Sequence, residues 1–263
     1  MNRQTRTNLI LLTMVLLLGA AVLAELKREE WERPAPLSRI DRHAVREVRI
    51  ECTAPCAPRR FEKVQGHWWM RAPYALAADD EAVSRLLSIA ALPVRRRHAA
   101  TELEPARLGL APPQVVLMLD AARIEFGGTD ALNGDRYVRF GDTVSLVPDR
   151  FSAWLYAAPE SELDRHLLPP GRQAVTLALR DRTVALEAAA WASTEARALR
   201  RIDPTAPMND RGLPLTLTLD DGSALRFVVH QVDSTYAFRR EDLALEYLFD
   251  VRAARPLLAE PPP

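Results

Sequence analysis

Residues Gln114–Val147 contain QVVLMLDAARIEFGG and DRYVRFGDTVSLV, and residues Pro214–Phe249 are PLTLTLDDGSALRFVVHQVDSTYAFRREDLALEYLF. In each stretch an alternating apolar run ends in Leu-Asp, at Leu119-Asp120 and at Leu219-Asp220. A short turn follows, then an apolar–charged–Phe triplet and a segment that carries a tyrosine. Since alternation with a period of two is typical of half-buried strands, the two stretches predict a duplicated β-meander.

The composition bounds the class of protein. The chain has 263 residues, of which 48% are hydrophobic and 27% are charged, as expected of a globular protein with a substantial core. Lys and Arg total 35, and so do Asp and Glu, so the formal net charge is zero. Because nucleic-acid binding depends on a positive field, we predict no nucleic-acid partner.

An uncharged apolar run at residues 8–24 follows the short N-terminal segment 1–7. A membrane-spanning helix needs about 20 apolar residues and a signal-peptide core about 7–15, so the run lies between the two lengths. The small residues before Glu25 also fit a cleavage site. We predict an uncleaved anchor at 8–24 in a lipid bilayer, and a proline-containing stalk at 25–42. A short basic N-terminus favours a cytoplasmic segment 1–7, with the C-terminal domain in the periplasm or at the cell exterior.

The remaining chain predicts an α+β fold of two related halves, residues 43–168 and 169–254. Each half has the order strand, strand, helix, meander, and each is expected to be a mainly antiparallel sheet with a packed helix. The first helix is predicted at Asp79–Leu92, with Asp79 or Asp80 as its cap, and the second at Ser193–Ile202. Trp191 is expected at the strand position that Trp68 and Trp69 occupy in the first half. Residues 255–263 form a proline-rich tail.

Few side chains form a reactive pattern. The spacing of Cys52 and Cys56 fits neither haem attachment nor a zinc site. In an exported domain the two can form a disulfide, and otherwise they are thiols in a turn. His43 and His166 each follow an Asp by two residues, but no nucleophile motif accompanies them. We predict no catalytic residue, no metal site and no cofactor.

Two patterns are candidates for an interface. Trp68 and Trp69 are neighbours on a predicted strand, so one ring should be in the core and the other outside, where Trp is enriched at binding hot spots. The run Arg95, Arg96 and Arg97 predicts either a solvated edge strand that resists edge-to-edge pairing or a docking surface for an acidic partner. The aspartates of the two Leu-Asp pairs are expected to accept hydrogen bonds from nearby backbone N–H groups in the turns.

Several segments, taken in order, resemble the domain of unknown function DUF4340, found in bacterial single-span proteins. The segments are Trp69-Met70-Arg71-Ala72-Pro73, Leu86-Leu87, Leu103, Leu108-Gly109-Leu110-Ala111-Pro112-Pro113, Ile124-Glu125-Phe126-Gly127, Tyr137-Val138 and Val144-Ser145-Leu146-Val147. The resemblance implies an envelope component held by a single span in a bacterial inner membrane, with the C-terminal domain in the periplasm. Some relatives are associated with ABC-type transport or with gliding-motility auxiliary proteins. It implies no catalytic residues.

Three functions follow as expectations. The first is a non-enzymatic accessory or scaffold protein of an envelope complex, with a membrane protein of unknown identity as partner. The second is a periplasmic binding module for a saccharide or lipid precursor, lined by Trp69, Trp191 and Tyr137. The third is an envelope hydrolase that depends on His43 or His166.

Overall fold

The computed structural model describes residues 12–22, 34–179, 182–185, 188–203 and 212–258. Residues 12–22 form helix α1. In the first half the elements are β1 (Glu47–Cys52), β2 (Arg59–Val64), β3 (His67–Ala72), β4 (Leu76–Ala77), α2 (Asp80–Ser88), β5 (Arg96–Ala99), β6 (Val115–Leu119), β7 (Ala122–Thr129), β8 (Asp135–Phe140), β9 (Thr143–Pro148) and α3 (Ser152–Leu155). Their strands form one sheet in the order β4-β3-β2-β1-β6-β7-β8-β9-β5.

The second half forms a smaller sheet. Its elements are β10 (Ala174–Leu179), β11 (Arg182–Ala185), α4 (Ala188–Ser193), β12 (Ala198–Arg201), β13 (Leu213–Leu219), β14 (Ala224–Val232), β15 (Thr235–Arg240), β16 (Leu245–Asp250) and α5 (Val251–Leu257). The sheet order is β11-β10-β13-β14-β15-β16-β12, and the pairings in both sheets are antiparallel. The α+β class with two mainly antiparallel sheets is therefore confirmed.

The two sheets have the same strand order. When β10 is matched to β1, β11 to β2, β12 to β5 and β13–β16 to β6–β9, the order of the second sheet is that of the first without β3 and β4. The aspartates of the Leu-Asp pairs also take the same position. Asp120 accepts backbone N–H bonds from Arg46 and Glu47 at the start of β1, and Asp220 accepts one from Gln173 just before β10. Each aspartate thus joins the meander to the first strand of its own half.

Helix α2 follows from its sequence. Asp79 is the N-cap, and its side chain accepts from the backbone N–H groups of Glu81 and Ala82, which satisfies donors that the first helical turn leaves free. The acidic residues of the first turn also favour the positive end of the helix dipole. One face of the helix, which includes Val83 and Leu86, is buried in the core. The predicted helix and its Asp79 cap are confirmed, but the α-helix ends at Ser88, and a 3-10 turn at Ile89–Ala91 occupies most of the remaining predicted length.

The N-terminal region differs in part from expectation. Helix α1 is the described portion of the predicted anchor 8–24, and the rest lies outside the described residues. Among the described residues, no helix combines the length and apolarity needed to cross a membrane. Residues 34–42 were assigned to the stalk, but Leu37 and Ser38 pack on the domain: their N–H groups donate to the carbonyls of Leu92 (2.8 Å) and Ala90 (2.9 Å). The side chain of Leu37 is buried and belongs to the hydrophobic core, so this segment is part of the folded domain.

Two further elements differ from the sequence prediction. The region expected to be a helix at Ser193–Ile202 contains strand β12, which pairs with β16, while helix α4 ends at Ser193. Trp191 lies on α4, not on a strand. At the C-terminus, α5 extends through Leu257, and Leu257 and Leu258 are buried, so the ordered second half continues past residue 254.

Candidate functional site: a groove between the two sheets

A connector at residues 157–170 joins the two halves. Ala78, just after β4, forms an antiparallel bridge with Leu163, and the N–H of Asp164 donates to the carbonyl of Ala77 (3.0 Å). Farther along, His166 forms a bridge with Glu195, just ahead of β12. The connector therefore pairs with the β4 end of the first sheet and with the segment that enters the edge strand of the second.

Arg59 holds the start of the connector against the first sheet. Its guanidinium donates to four backbone carbonyls, those of Ala57, Trp154, Leu155 and Ala157, and contacts the carboxylate of Glu162 with Nε–Oε2 at 2.6 Å. The Arg59 side chain is fully buried. Burial raises the pKa of Glu162, and the charge of Arg59 acts in the opposite direction. This cluster fixes the end of α3 and the first turn of the connector.

A groove of about 830 Å³ opens beside this cluster, between the two halves. The first half contributes small residues and prolines from two loops together with Tyr74, Tyr156 and Glu160, and the second half contributes Arg201 and the turn 242–244. The prolines are Pro55, Pro58, Pro73 and Pro159. A groove lined by proline and tyrosine side chains presents rigid apolar surface with few polar groups.

The polar groups of the groove are held in fixed pairs. The hydroxyl of Tyr74 donates to the carboxylate of Glu160. Burial, followed by this bond, raises the pKa of Tyr74 above its ordinary value, so the phenol keeps its proton at physiological pH. On the facing wall, Arg240 binds Asp242 through two bonds of 3.2 and 2.6 Å, which lower the pKa of Asp242. The carboxylates of Glu160 and Asp242 are thus both engaged in the walls of the groove, and Arg201 adds a solvent-exposed cation to its lining.

The two cysteines form a disulfide at the rim of this groove. The Sγ atom of Cys56 lies 3.5 Å from the carbonyl oxygen of Leu155, so the loop that they close rests on the end of α3. Pro55, within that loop, lines the groove. The Cys52–Cys56 segment therefore helps to shape the groove.

The two candidate interface tryptophans occupy different environments. Trp68 is buried in the core, and Lys63 Nζ lies over its ring at 5.6 Å from the centroid. Trp69 is half-buried and lines a smaller cavity of about 190 Å³ with Leu225 and Tyr247 of the second half. Burial raises the pKa of Tyr247 to about 12. The Trp69 cavity shares Ala75 with the main groove, so the two lie side by side.

The arginine run lies at the opposite edge of the first sheet. Arg96 and Arg97 are in the edge strand β5, and the N–H of Arg95 donates to the carbonyl of Leu146. All three side chains are exposed. Arg95 contacts Asp135 (3.4 Å), and Arg97 donates to the carbonyl of Pro36 (2.8 Å). The residues therefore form a charged edge strand that is remote in the sheet order from Trp69 on β3.

The two histidines proposed for a hydrolase are separated. Asp41 accepts from the backbone N–H of His43 in an exposed turn. His166 Nδ1 lies 2.7 Å from Asp164 Oδ1, in a cleft of about 300 Å³ that also contains His67. Among the described residues lining this cleft there is no serine, threonine or cysteine. In the described part of the chain, no group of three or more His, Cys, Asp and Glu side chains is arranged to hold a metal ion.

The residues proposed to line a saccharide or lipid site do not converge. Trp191 is buried and packs edge-on against Phe238, with ring centroids 6.5 Å apart. Tyr137 lies on β8 of the first sheet and pairs with Leu146, whereas Trp69 faces the second half. Of the three rings, only Trp69 lines the junction between the halves.

Sequence patterns did not reveal the groove. Tyr74, Tyr156 and Arg201 lie far apart in the chain and carry no local motif. The one available signal is the density of prolines near residues 55–58, 73 and 159, because prolines favour rigid extended loops. Arg59 and Glu162 are 103 positions apart, and no spacing rule connects them.

Comparison with protein families matches residues 68–222, more than half of the chain, to the domain of unknown function DUF4340. The match begins in β3 of the first sheet and ends in the turn after β13 of the second, so it includes the connector. No curated protein and no solved structure matches the chain.

Proposed function

The chain belongs to the DUF4340 family, whose function is unknown, and from that premise we propose that it is a non-enzymatic accessory or scaffold protein of a bacterial envelope complex. In this proposal residues 8–24 anchor the chain in the inner membrane, and the two sheets lie in the periplasm. The groove between the sheets receives an extended segment of a membrane-protein partner. A transport complex is the partner class that the family resemblance suggests.

The groove is the observation that carries this proposal. Aromatic grooves commonly bind proline-rich or extended peptides, because such segments lose little conformational entropy on docking. Here Tyr74 and Tyr156 supply rings, and the surrounding prolines keep the walls rigid. Arg201 from the second half and Glu160 from the first supply charges of opposite sign to the lining, which can fix the direction of a bound segment.

The arrangement of polar groups favours binding over catalysis. Catalysis needs a nucleophile or base aimed at a site where a substrate atom can sit. In the groove, the Tyr74 hydroxyl is committed to Glu160, and Asp242 is committed to Arg240. These pairs shape the walls and leave the reactive atoms engaged with each other.

Site-specific photocrosslinking in cells tests the proposal. Tyr156 is at the groove and is 36% exposed, and replacing it with a benzoylphenylalanine keeps an aromatic ring at that position. Val175, in β10 and 47% exposed, is the matched control away from the groove. We expect one recurrent membrane-protein adduct from position 156 and none of that adduct from position 175. Arg201→Ala should reduce the yield.

Other outcomes would point elsewhere. Equal adducts from both positions would indicate random collision and would count against a docking groove. No protein adduct, combined with a rise in melting temperature on addition of an envelope extract, would favour the small-ligand alternative, because the groove volume is within the usual range for ligand pockets. Loss of function in a His166→Ala variant that folds normally would favour the hydrolase.

A further inference from the structure

The point at which the chain enters the folded domain is fixed. Residues 35–38 run antiparallel to residues 90–94, with a bridge between Pro36 and Pro93. The N–H of Val94 donates to the carbonyl of Ala35 (3.0 Å), and Arg97 binds the carbonyl of Pro36. The polypeptide therefore enters the domain beside edge strand β5.

Exposed cations surround this entry point. Arg95, Arg96 and Arg97 are all exposed, and 57% of the Arg95 side chain is accessible. The aspartate that Arg95 contacts, Asp135, is buried, with 5% of its side chain accessible. The exposed charged side chains of residues 95–97 are therefore all positive, and the nearest exposed carboxylate given by the backbone pairing, Asp142, lies beyond the other end of β5.

An exposed leucine lies in the hairpin that Arg95 contacts through Asp135. Leu132 is 90% exposed at the tip of the β7–β8 hairpin. The turn is ordered, because Asp130 accepts from the backbone N–H of Asn133 (3.0 Å) and the N–H of Asp130 donates to the carbonyl of Asp135 (2.6 Å). Since Asp135 also contacts Arg95, the hairpin tip and the arginine run belong to the same end of the first half.

We propose that this end, defined by Arg95, Arg96, Arg97 and Leu132 and here called the basic edge, docks on the anionic phospholipid headgroups of the membrane that holds the chain. The inference rests on the proposed anchor at residues 8–24. Only residues 25–33 separate that anchor from the described domain, and nine residues span at most roughly 30 Å. The short connection places the basic edge within reach of the bilayer surface. Arginines near anionic lipid gain electrostatic attraction, and an exposed apolar side chain gains by entering the interface.

The test uses the full-length chain reconstituted in lipid vesicles. The sequence has two cysteines, and both are in the disulfide, so a Leu132→Cys variant can carry a single environment-sensitive fluorophore. Val175→Cys is the matched exposed position in the second half. The vesicles are phosphatidylcholine alone or mixed with phosphatidylglycerol, and brominated lipids serve as quenchers.

We expect the probe at position 132 to shift to the blue and to be quenched in the anionic vesicles, while the probe at 175 remains in water. Arg96→Gln should lower the ratio of docked to undocked protein about fivefold, because one arginine near an anionic surface contributes about that factor. Arg107→Gln, the same charge change at a site 82% exposed near another turn, should leave the ratio unchanged.

The outcomes separate the two proposals. If the chain floats with the vesicles but the probe at 132 stays in water, the docking inference is overturned and the anchor stands. If the chain does not float with vesicles at all, the anchor and the docking inference both fail, and the groove crosslink remains a separate question. If position 132 is shielded in native membranes but not in lipid vesicles, a protein covers the basic edge and the lipid assignment is wrong.

Discussion

Glu246 is a buried carboxylate, and its replacement by glutamine should destabilise the second sheet through loss of its charged hydrogen bonds to two arginines. It lies on β16 between two arginines that are directly opposite on the neighbouring strands, Arg200 on β12 and Arg239 on β15. Arg239 donates to Oε1 at 3.0 and 2.8 Å, and Arg200 to Oε2 at 3.2 and 2.6 Å. Glu246→Gln keeps the size of the side chain, but it places an amide donor against one guanidinium.

The expected cost follows from the exposure of each pair. Arg239 is 17% exposed, so its bond to a buried charge is worth about 1.5–3 kcal/mol. Arg200 is 64% exposed, and its pair contributes about 0–1 kcal/mol. Loss of both therefore predicts a destabilisation of about 1.5–4 kcal/mol, or a melting temperature lower by roughly 3–16 °C for a chain of this size.

The stabilisation by Glu246 should decrease as the pH falls. Burial raises the pKa of Glu246, but the two arginines outweigh burial and hold the pKa below its ordinary value. The stabilisation by Glu246 is thus fully present above the unfolded-state pKa of about 4.3 and is lost as the pH falls through the lowered folded-state pKa. The difference in melting temperature between the original protein and Glu246→Gln should be largest near neutral pH and should disappear in acid.

The assay is thermal unfolding of the full-length protein in mild detergent, followed by tryptophan fluorescence across this pH range. Glu104→Gln is the control, because Glu104 makes a single ion pair with Arg107 at the surface and should change stability by less than about 1 kcal/mol. If the melting temperature of Glu246→Gln stays below that of the original protein by the same amount from neutral to acidic pH, the electrostatic explanation is refuted, because the loss of stability would then come from packing.

Two further predictions concern the first half. Gly127→Ala should destabilise the protein by about 1–3 kcal/mol, because an added Cβ would lie 2.2 Å from the carbonyl oxygen of Leu108. The control Gly128→Ala, whose added Cβ would have its nearest atom at 3.7 Å, should cost no more than about 1 kcal/mol in urea unfolding, and equal losses of stability in the two variants would contradict the predicted clash. Arg59→Met should lower the free energy of unfolding by about 3–5 kcal/mol, because four backbone carbonyls and a buried carboxylate lose their donor. The control Arg60→Met, at a side chain that is 53% exposed, should lower it by about 0–1 kcal/mol, and similar melting temperatures for the two variants would show that the connector does not depend on Arg59.

The sequence correctly predicted the elements whose local periodicity and capping residues match the structure that they adopt in the fold. The two meanders and helix α2 are such cases, because alternation and the Asp79 cap act within a few residues. Strand β12 lies within the segment predicted as a helix, because its pairing with β16 overrides the local helix preference. Trp191 was placed by analogy with Trp68, but its position in the core is set by packing against Phe238.

The candidate site was less predictable than the fold. The exposed arginine run and the half-buried Trp69 were found from sequence, because charge runs and strand alternation are local signals. The groove depends on which loops the connector brings together, and that is determined by the contacts of Arg59 and Glu162 across 103 positions. No pattern within a window of ordinary length contains both residues.

The attachment of residues 35–38 has a mechanical consequence. The N–H of Leu37, the N–H and hydroxyl of Ser38 and the N–H of Val94 form bonds between this segment and residues 90–94. In an antiparallel pair such bonds lie across the strand direction, so a pull along the N-terminal segment loads them in shear and they must break together. Tension applied to the N-terminal segment would then pass into the residues that follow α2 and the core beneath them before the first sheet begins to unravel.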